Sequence, residues 1–146
     1  MVELINNTKT HICRRKAERL RKGVFDFYNL GDSSVSLVVV SDKKMRSLNR
    51  DFRGIDKTTD VLTFPVENNG GVNGDNLIGE IFINLEEARR AHKYVEIFGR
   101  KRSYLFIFYF LFVHGLLHLV GYNDKTEKDR KAMIELGNYF MTKYYK

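Results

Sequence analysis

The chain has a single cysteine, Cys13, and a single proline, Pro65, in 146 residues. One cysteine excludes an internal disulfide framework and a cysteine-rich zinc module. It also accords with a reducing compartment. No apolar stretch follows the opening MVELINNTKTHICRRK, so no secretory signal is expected. Acidic residues are the minority charge: 18 Asp and Glu stand against 25 Lys and Arg, a net +7. That balance favours a polyanionic partner over a basic one. Charged residues are 29% of the chain, which argues against generic disorder. A hydrophobic share of 43% gives one domain, residues 1–146, the material for a core.

Formal charge is absent altogether from residues 104–122, YLFIFYFLFVHGLLHLVGY. The length is close to the roughly 20 residues that cross a bilayer. Arg100, Lys101 and Arg102 precede the run as an inside anchor would. Against a span stand two histidines inside the run, costly in lipid, and amphipathic patterns everywhere else. The favoured reading is a helix apolar on all sides at the centre of a domain, with no membrane contact.

Elsewhere the periodicity is plain. Residues 9–29 predict a basic amphipathic helix with Ile12, Ala17, Leu20, Val24 and Phe27 inward. Ser34–Val40 is β-branched and predicts a strand. Ser41 is placed to cap the following helix, whose stripe is Met45, Leu48 and Phe52. Residues 60–66 predict a second strand, with Pro65 marking an edge or an exit. Residues 67–76 form a Gly/Asn loop, with turns available at Asn69-Gly70-Gly71 or Asn73-Gly74. Leu77–Asn84 predicts a third strand. Residues 85–97 predict a helix with Ala88, Ala91 and Val95 inward, and 125–145 one with Ala132, Leu136 and Phe140 on one face. No repeat or linker interrupts the order. The expected class is α+β: a small mixed sheet of three to four strands packed with about five helices.

Two runs carry chemistry. In the first, His114 and His118 lie four apart on a predicted helix, hence on one face. Two imidazoles there can converge on one divalent ion. Gly121 can end the helix and return the chain, and Asp124 then supplies a third donor. Three protein ligands leave a position for water, the arrangement of a catalytic zinc site. The plain alternative is two core histidines satisfied by backbone carbonyls. The Glu of H-E-x-x-H is absent, because Gly115 follows the first histidine, so a zincin-type peptidase would lack its proton acceptor.

In the second run, residues 48–65, a helix ends at Gly54, a polar loop follows and a strand begins. Arg53, Lys57, Thr58 and Thr59 can present donors at one sheet edge, and Arg suits bidentate contact with phosphate. The plain alternative pairs Arg53 with Asp51 or Asp56 and leaves Thr59 and Asp60 to cap a turn.

Together the two runs resemble the YbeY family, bacterial metal-dependent endoribonucleases of ribosomal RNA maturation. The matching positions are Asn49, Phe52, Arg53, Asp56 and Thr59 through Pro65, then Gly79-Glu80-Ile81, then His114-Gly115 through Gly121-Tyr122. Their order and spacing cover nearly the whole chain. At the site, Asn123-Asp124 replaces the family's D-H, so Asp124 stands where the third histidine is expected, and Glu80 replaces Asp. The resemblance implies a zincin-like core with a buried ligand-bearing helix, and a cytoplasmic, monomeric enzyme that acts in 16S rRNA 3′-end maturation and ribosome quality control. It implies one divalent metal, zinc by preference, held by His114, His118 and Asp124, with Arg53 as the catalytic arginine. The implied partners are single-stranded rRNA and the small ribosomal subunit, not DNA. Candidate RNA contacts are Arg50, Lys57, Thr59, Arg89 and Arg90; taken singly, each of the four cations reads as a solvated surface charge before it reads as a contact. The competing function is a non-catalytic ribosome- or RNA-binding module with a structural metal.

Overall fold

A computed structural model describes residues 1–67 and 76–146. The turns expected at Asn69-Gly70-Gly71 or Asn73-Gly74 lie outside the described residues. Four strands, β1 (Val2–Asn6), β2 (Ser34–Val40), β3 (Val61–Pro65) and β4 (Leu77–Asn84), form one sheet in the order β1-β2-β4-β3. β1 and β4 run parallel to β2, and β3 runs antiparallel to β4. The helices are α1 (Arg14–Phe27), α2 (Asp42–Arg53), α3 (Leu85–Arg89), α4 (Val95–Phe98), α5 (Tyr104–Val120) and α6 (Glu127–Tyr144). The expected α+β class with a small mixed sheet is what forms, and Pro65 closes an edge strand.

Strand alternation divides the core in two. Val35, Leu37, Val39, Ile81 and Ile83 face α1, α5 and α6, whereas Val38, Val40 and Leu62 meet Met45 and Leu48 of α2. The uncharged α5 is the centre of the larger layer. Phe108, Phe112 and Leu116 are fully buried, each burial contributing about 1.5–3 kcal/mol. No helix among the described residues is long and apolar enough to cross a membrane. Close approach of α5 to β4 requires Gly115, where an added Cβ would sit 2.7 Å from Ile81 Cγ2.

Several sequence expectations need correction. β1 was not expected, and the first helix begins at Arg14 rather than at residue 9. Asn6 explains the delay: its Oδ1 accepts from the Thr8 amide at 2.9 Å and its Nδ2 donates to the Thr10 carbonyl at 2.7 Å. That side chain holds a turn where a helix would otherwise start. Ser41 occupies the N-cap position of α2, but its side chain makes no capping bond. Phe27 and Phe52, expected inward, are 57% and 68% exposed. In α6 Phe140 of the expected stripe is buried and Leu136 half-buried, but Ala132 is exposed, and Met133, Gly137 and Met141 complete the buried face.

The expected helix over residues 85–97 breaks into α3, a 3₁₀ turn (Ala91–Tyr94) and α4. Tyr94 is buried and Val95 exposed. The break sits at Arg90, whose guanidinium is held by Asp42 and, at 2.5 Å, by Glu87 Oε2. The Arg90 contact holds the Asp42 carboxyl well below the usual carboxylate range. A depressed carboxylate stabilises the fold above its unfolded pKa, and that stabilisation is lost as pH falls through the depressed value. Arg90→Ala is therefore expected to destabilise the fold at neutral pH. Denaturant melts should show the difference closing in strong acid.

Candidate metal centre and its cleft

α5 carries His114 and His118 on one face, one turn apart. It ends at Gly121 with φ 125°, where the Gly121 amide bonds back to the carbonyls of Leu117 and His118. The Tyr122 amide also returns to the Leu117 carbonyl at 3.1 Å. This tight stop brings Asp124 back beneath the two rings. His114 Nε2 lies 3.1 Å from His118 Nε2. Asp124 Oδ2 lies 3.5 Å from His114 Nε2 and 3.7 Å from His118 Nε2.

These separations can be compared with a metal's needs. Donors at about 2.0–2.2 Å in a tetrahedral set stand about 3.3–3.6 Å apart. The observed triangle is close to that size. The other nitrogen of His118 supplies a second criterion. Nδ1 lies 3.0 Å from the Tyr122 carbonyl oxygen, which can only accept, so the proton is on Nδ1 and the neutral ring's lone pair is on Nε2. A histidine oriented through its outer nitrogen is the usual companion of metal ligation. Burial, reinforced by the neighbouring His118, pushes the His114 imidazole below its ordinary pKa, which favours the neutral ligating form. The donor set therefore fits a divalent cation: His118 does take a backbone carbonyl, but through Nδ1, and the two Nε2 atoms face each other and Asp124.

The triangle opens into a cleft of about 620 Å³. One wall is β3, and Arg53, Thr59, Asp60, Thr63 and Arg130 also line it. Arg53 carries no carboxylate partner among the described residues. The two acids that could have neutralised it are engaged elsewhere: Asp56 pairs with Arg46 at 2.9 Å and Asp51 with Arg50 at 3.3 Å.

The loop that brings Thr59 and Asp60 to the cleft is fixed from beneath. Asn84, fully buried, caps α3 by accepting from the Glu86 and Glu87 amides. Its Nδ2 donates to Asp42 Oδ1 at 2.7 Å, Thr58 Oγ1 at 2.9 Å and the Thr59 carbonyl at 3.2 Å. Asn49 adds a bond to the Lys57 carbonyl at 2.9 Å. Asp60 accepts from its neighbour's amide, Val61, at 2.8 Å and from the Tyr94 hydroxyl at 3.0 Å. These bonds fix the side chain and place a carboxylate in the cleft wall. Asp60, Thr63 and Arg130 were not singled out as site residues; Asp60 and Thr63 lay within the second motif run, and Arg130 had no local signal.

The remaining expected contacts do not share this cleft. Arg50 and Lys57 line a separate hollow of about 1050 Å³ with Lys43, Arg46 and Thr58. Arg89 lies over the Tyr104 ring, 4.2 Å from its centroid, and donates to Thr10 Oγ1 at 2.8 Å. Arg90 belongs to the ion-pair cluster described above. Gly115 faces Ile81 and not the cleft, so a glutamate there would be driven into the sheet.

The family model described as Endoribonuclease YbeY matches residues 3–145. A protein named Endoribonuclease YbeY from Desulforamulus reducens is 41% identical over 107 residues, 70% of this chain and 66% of that protein. One of the same name from Heliobacterium modesticaldum is 38% identical over 116 residues, 73% of this chain and again 66% of the relative. In both cases the match spans just under two thirds of the relative's length. A third, from Mycoplasma mycoides subsp. mycoides, is 32% identical over 136 residues, 90% of this chain and 79% of the relative. The solution structure of TM1509 from Thermotoga maritima superposes with a TM-score of 0.60 at 25% identity, covering 99% of this chain and 89% of that one. A family match that runs from the first strand to the end of the last helix, over the very motifs that build the cleft, makes this chain a member of the YbeY family.

Proposed function

We propose that the chain is a metal-dependent endoribonuclease that cuts single-stranded RNA in the cleft between β3 and the His114–His118–Asp124 triangle. The observation that carries this reading is an arginine without a carboxylate partner among the described residues, on the same cleft as a donor triangle of tetrahedral size. The name shared by the relatives supports the activity. By the same resemblance, the substrate is ribosomal RNA, with maturation of the 16S 3′ end on the small subunit in the cytoplasm as the setting. Zinc suits two imidazoles and one carboxylate; Asp124 in place of a third imidazole lowers the net charge of the site and widens the choice of ion.

The chain's own contributions follow from the geometry. When bound, a divalent ion would supply a Lewis acid for a phosphoryl oxygen and a lowered pKa for a water. His118, oriented by the Tyr122 carbonyl, and His114, kept neutral by burial, hold the donor triangle in place. Arg53 presents a planar, permanently charged fork to the scissile phosphate and offsets the charge that accumulates there. Asp60, with both oxygens engaged, stays oriented in the wall of the same cleft and would add negative charge near a bound cation. Arg50 and Lys57 in the adjoining hollow carry the strand's backbone onward over α2.

The test is cleavage of a single-stranded rRNA fragment, with a duplex of the same sequence and an unstructured protein as controls. Only the single strand should be cut. Chelator should abolish cutting and added zinc should restore it. Cleavage that persists in chelator overturns the metal mechanism. Metal-loaded protein that binds RNA but never cuts it supports the binding module, and proteolysis supports a peptidase.

A further inference from the structure

α2 ends with an aromatic side chain that the fold does not need for its core. Met45 and Leu48, the first members of its apolar stripe, are buried, but Phe52 is 68% exposed. The stripe outruns the sheet there, because β3 is the edge strand and no strand among the described residues lies beyond it. The ring is nevertheless held. It meets Phe64 edge to face at 5.4 Å between centroids, and Phe64 meets Phe82 in the same way at 5.6 Å. Phe64 lines the cleft, and so does Arg53, the residue after Phe52. A fixed aromatic ring with an open face therefore stands one helical step from the unpaired arginine of the cleft.

We infer that Phe52 is a stacking platform for a nucleobase next to the scissile phosphate, and that it is one source of selectivity for single strands. This rests on the ribonuclease reading above. Three features support a base as the occupant. The ring packs on Phe64, a residue of the cleft lining, and precedes Arg53, another. Arg53 and, one turn earlier, Arg50 supply the positive charge that tracks a phosphodiester backbone. Ordered, exposed aromatics beside such charge are how proteins engage unpaired bases, whose π-faces are all acceptable to a phenyl ring. A base in a duplex is already stacked on both faces and has none to offer, so the platform rewards only an unpaired strand.

The test uses the metal-loaded full chain and a single-stranded oligonucleotide with one cleavage site, with abasic positions walked across that site. Phe52→Ala is expected to raise KM about tenfold while kcat stays within about twofold. Phe52→Trp should keep the wild-type KM, and because the chain has no other tryptophan its fluorescence should be quenched on RNA binding. At one position flanking the cut, base removal should cost the wild type about tenfold and cost Phe52→Ala nothing further, the non-additivity of two groups in contact. A Phe52→Ala enzyme with unchanged KM, or abasic losses that add in full to the substitution at every position, overturns the platform while leaving the ribonuclease reading intact. A wild-type protein that cuts no RNA overturns that reading, and the platform with it.

Discussion

His114→Ala should abolish RNA cleavage, by well over a hundredfold, while the protein remains folded. Loss of an outer-shell partner of a metal ligand already costs about 10–100-fold, and His114 is itself a corner of the donor triangle. Its ring is 3.1 Å from one partner and 3.5 Å from the other, so removal leaves two donors where three are needed. Folding should survive because His114 lies at the cleft, while Phe108, Phe112 and Leu116 on the same helix make the core. His118→Ala should behave in the same way. Retained cleavage with wild-type dependence on RNA concentration in either variant would remove the triangle from the mechanism.

Arg53→Ala should lower kcat by about 10²–10³ with metal content unchanged, the range for loss of one preorganised charge-stabilising donor. The size of the effect follows from what Arg53 lacks. Arg46 and Arg50 each have a carboxylate neighbour, Asp56 and Asp51, whereas Arg53 lines the cleft with none among the described residues. Lysine restores the charge and not the fork, so Arg53→Lys should recover only part of the rate. Arg50→Ala and Lys57→Ala should act on binding instead, each reducing the magnitude of the salt slope for a single strand by about 0.7. A kcat in Arg53→Ala equal to wild type would make the arginine a surface charge like its neighbours.

The candidate metal triangle was legible because its parts are local: a histidine pair at helical spacing, a glycine that stops the helix, and a carboxylate three residues on. The same holds for Arg53 and the strand that follows it. What stayed hidden depends on long-range partners. Asn84 reads as the last residue of a strand, yet it joins α2, the Thr58–Thr59 loop and α3 through bonds to residues more than twenty positions away. Arg90 reads as the outer face of a helix, but its pairing with Asp42 accompanies a break in that helix. β1 contributes only five residues, with Val2 buried and Leu4 half-buried, too short a pattern to stand out before it pairs with β2. Phe52 fits the stripe of α2 perfectly in sequence; only the sheet's edge decides that it faces outward.

The most direct measurement is the metal content of the purified protein after dialysis, in wild type, His118→Ala and Asp124→Ala. The account predicts about one divalent ion per chain in wild type and its loss from both variants. Wild-type protein that takes up no ion from zinc-supplemented buffer, or variants that retain theirs in full, would contradict it.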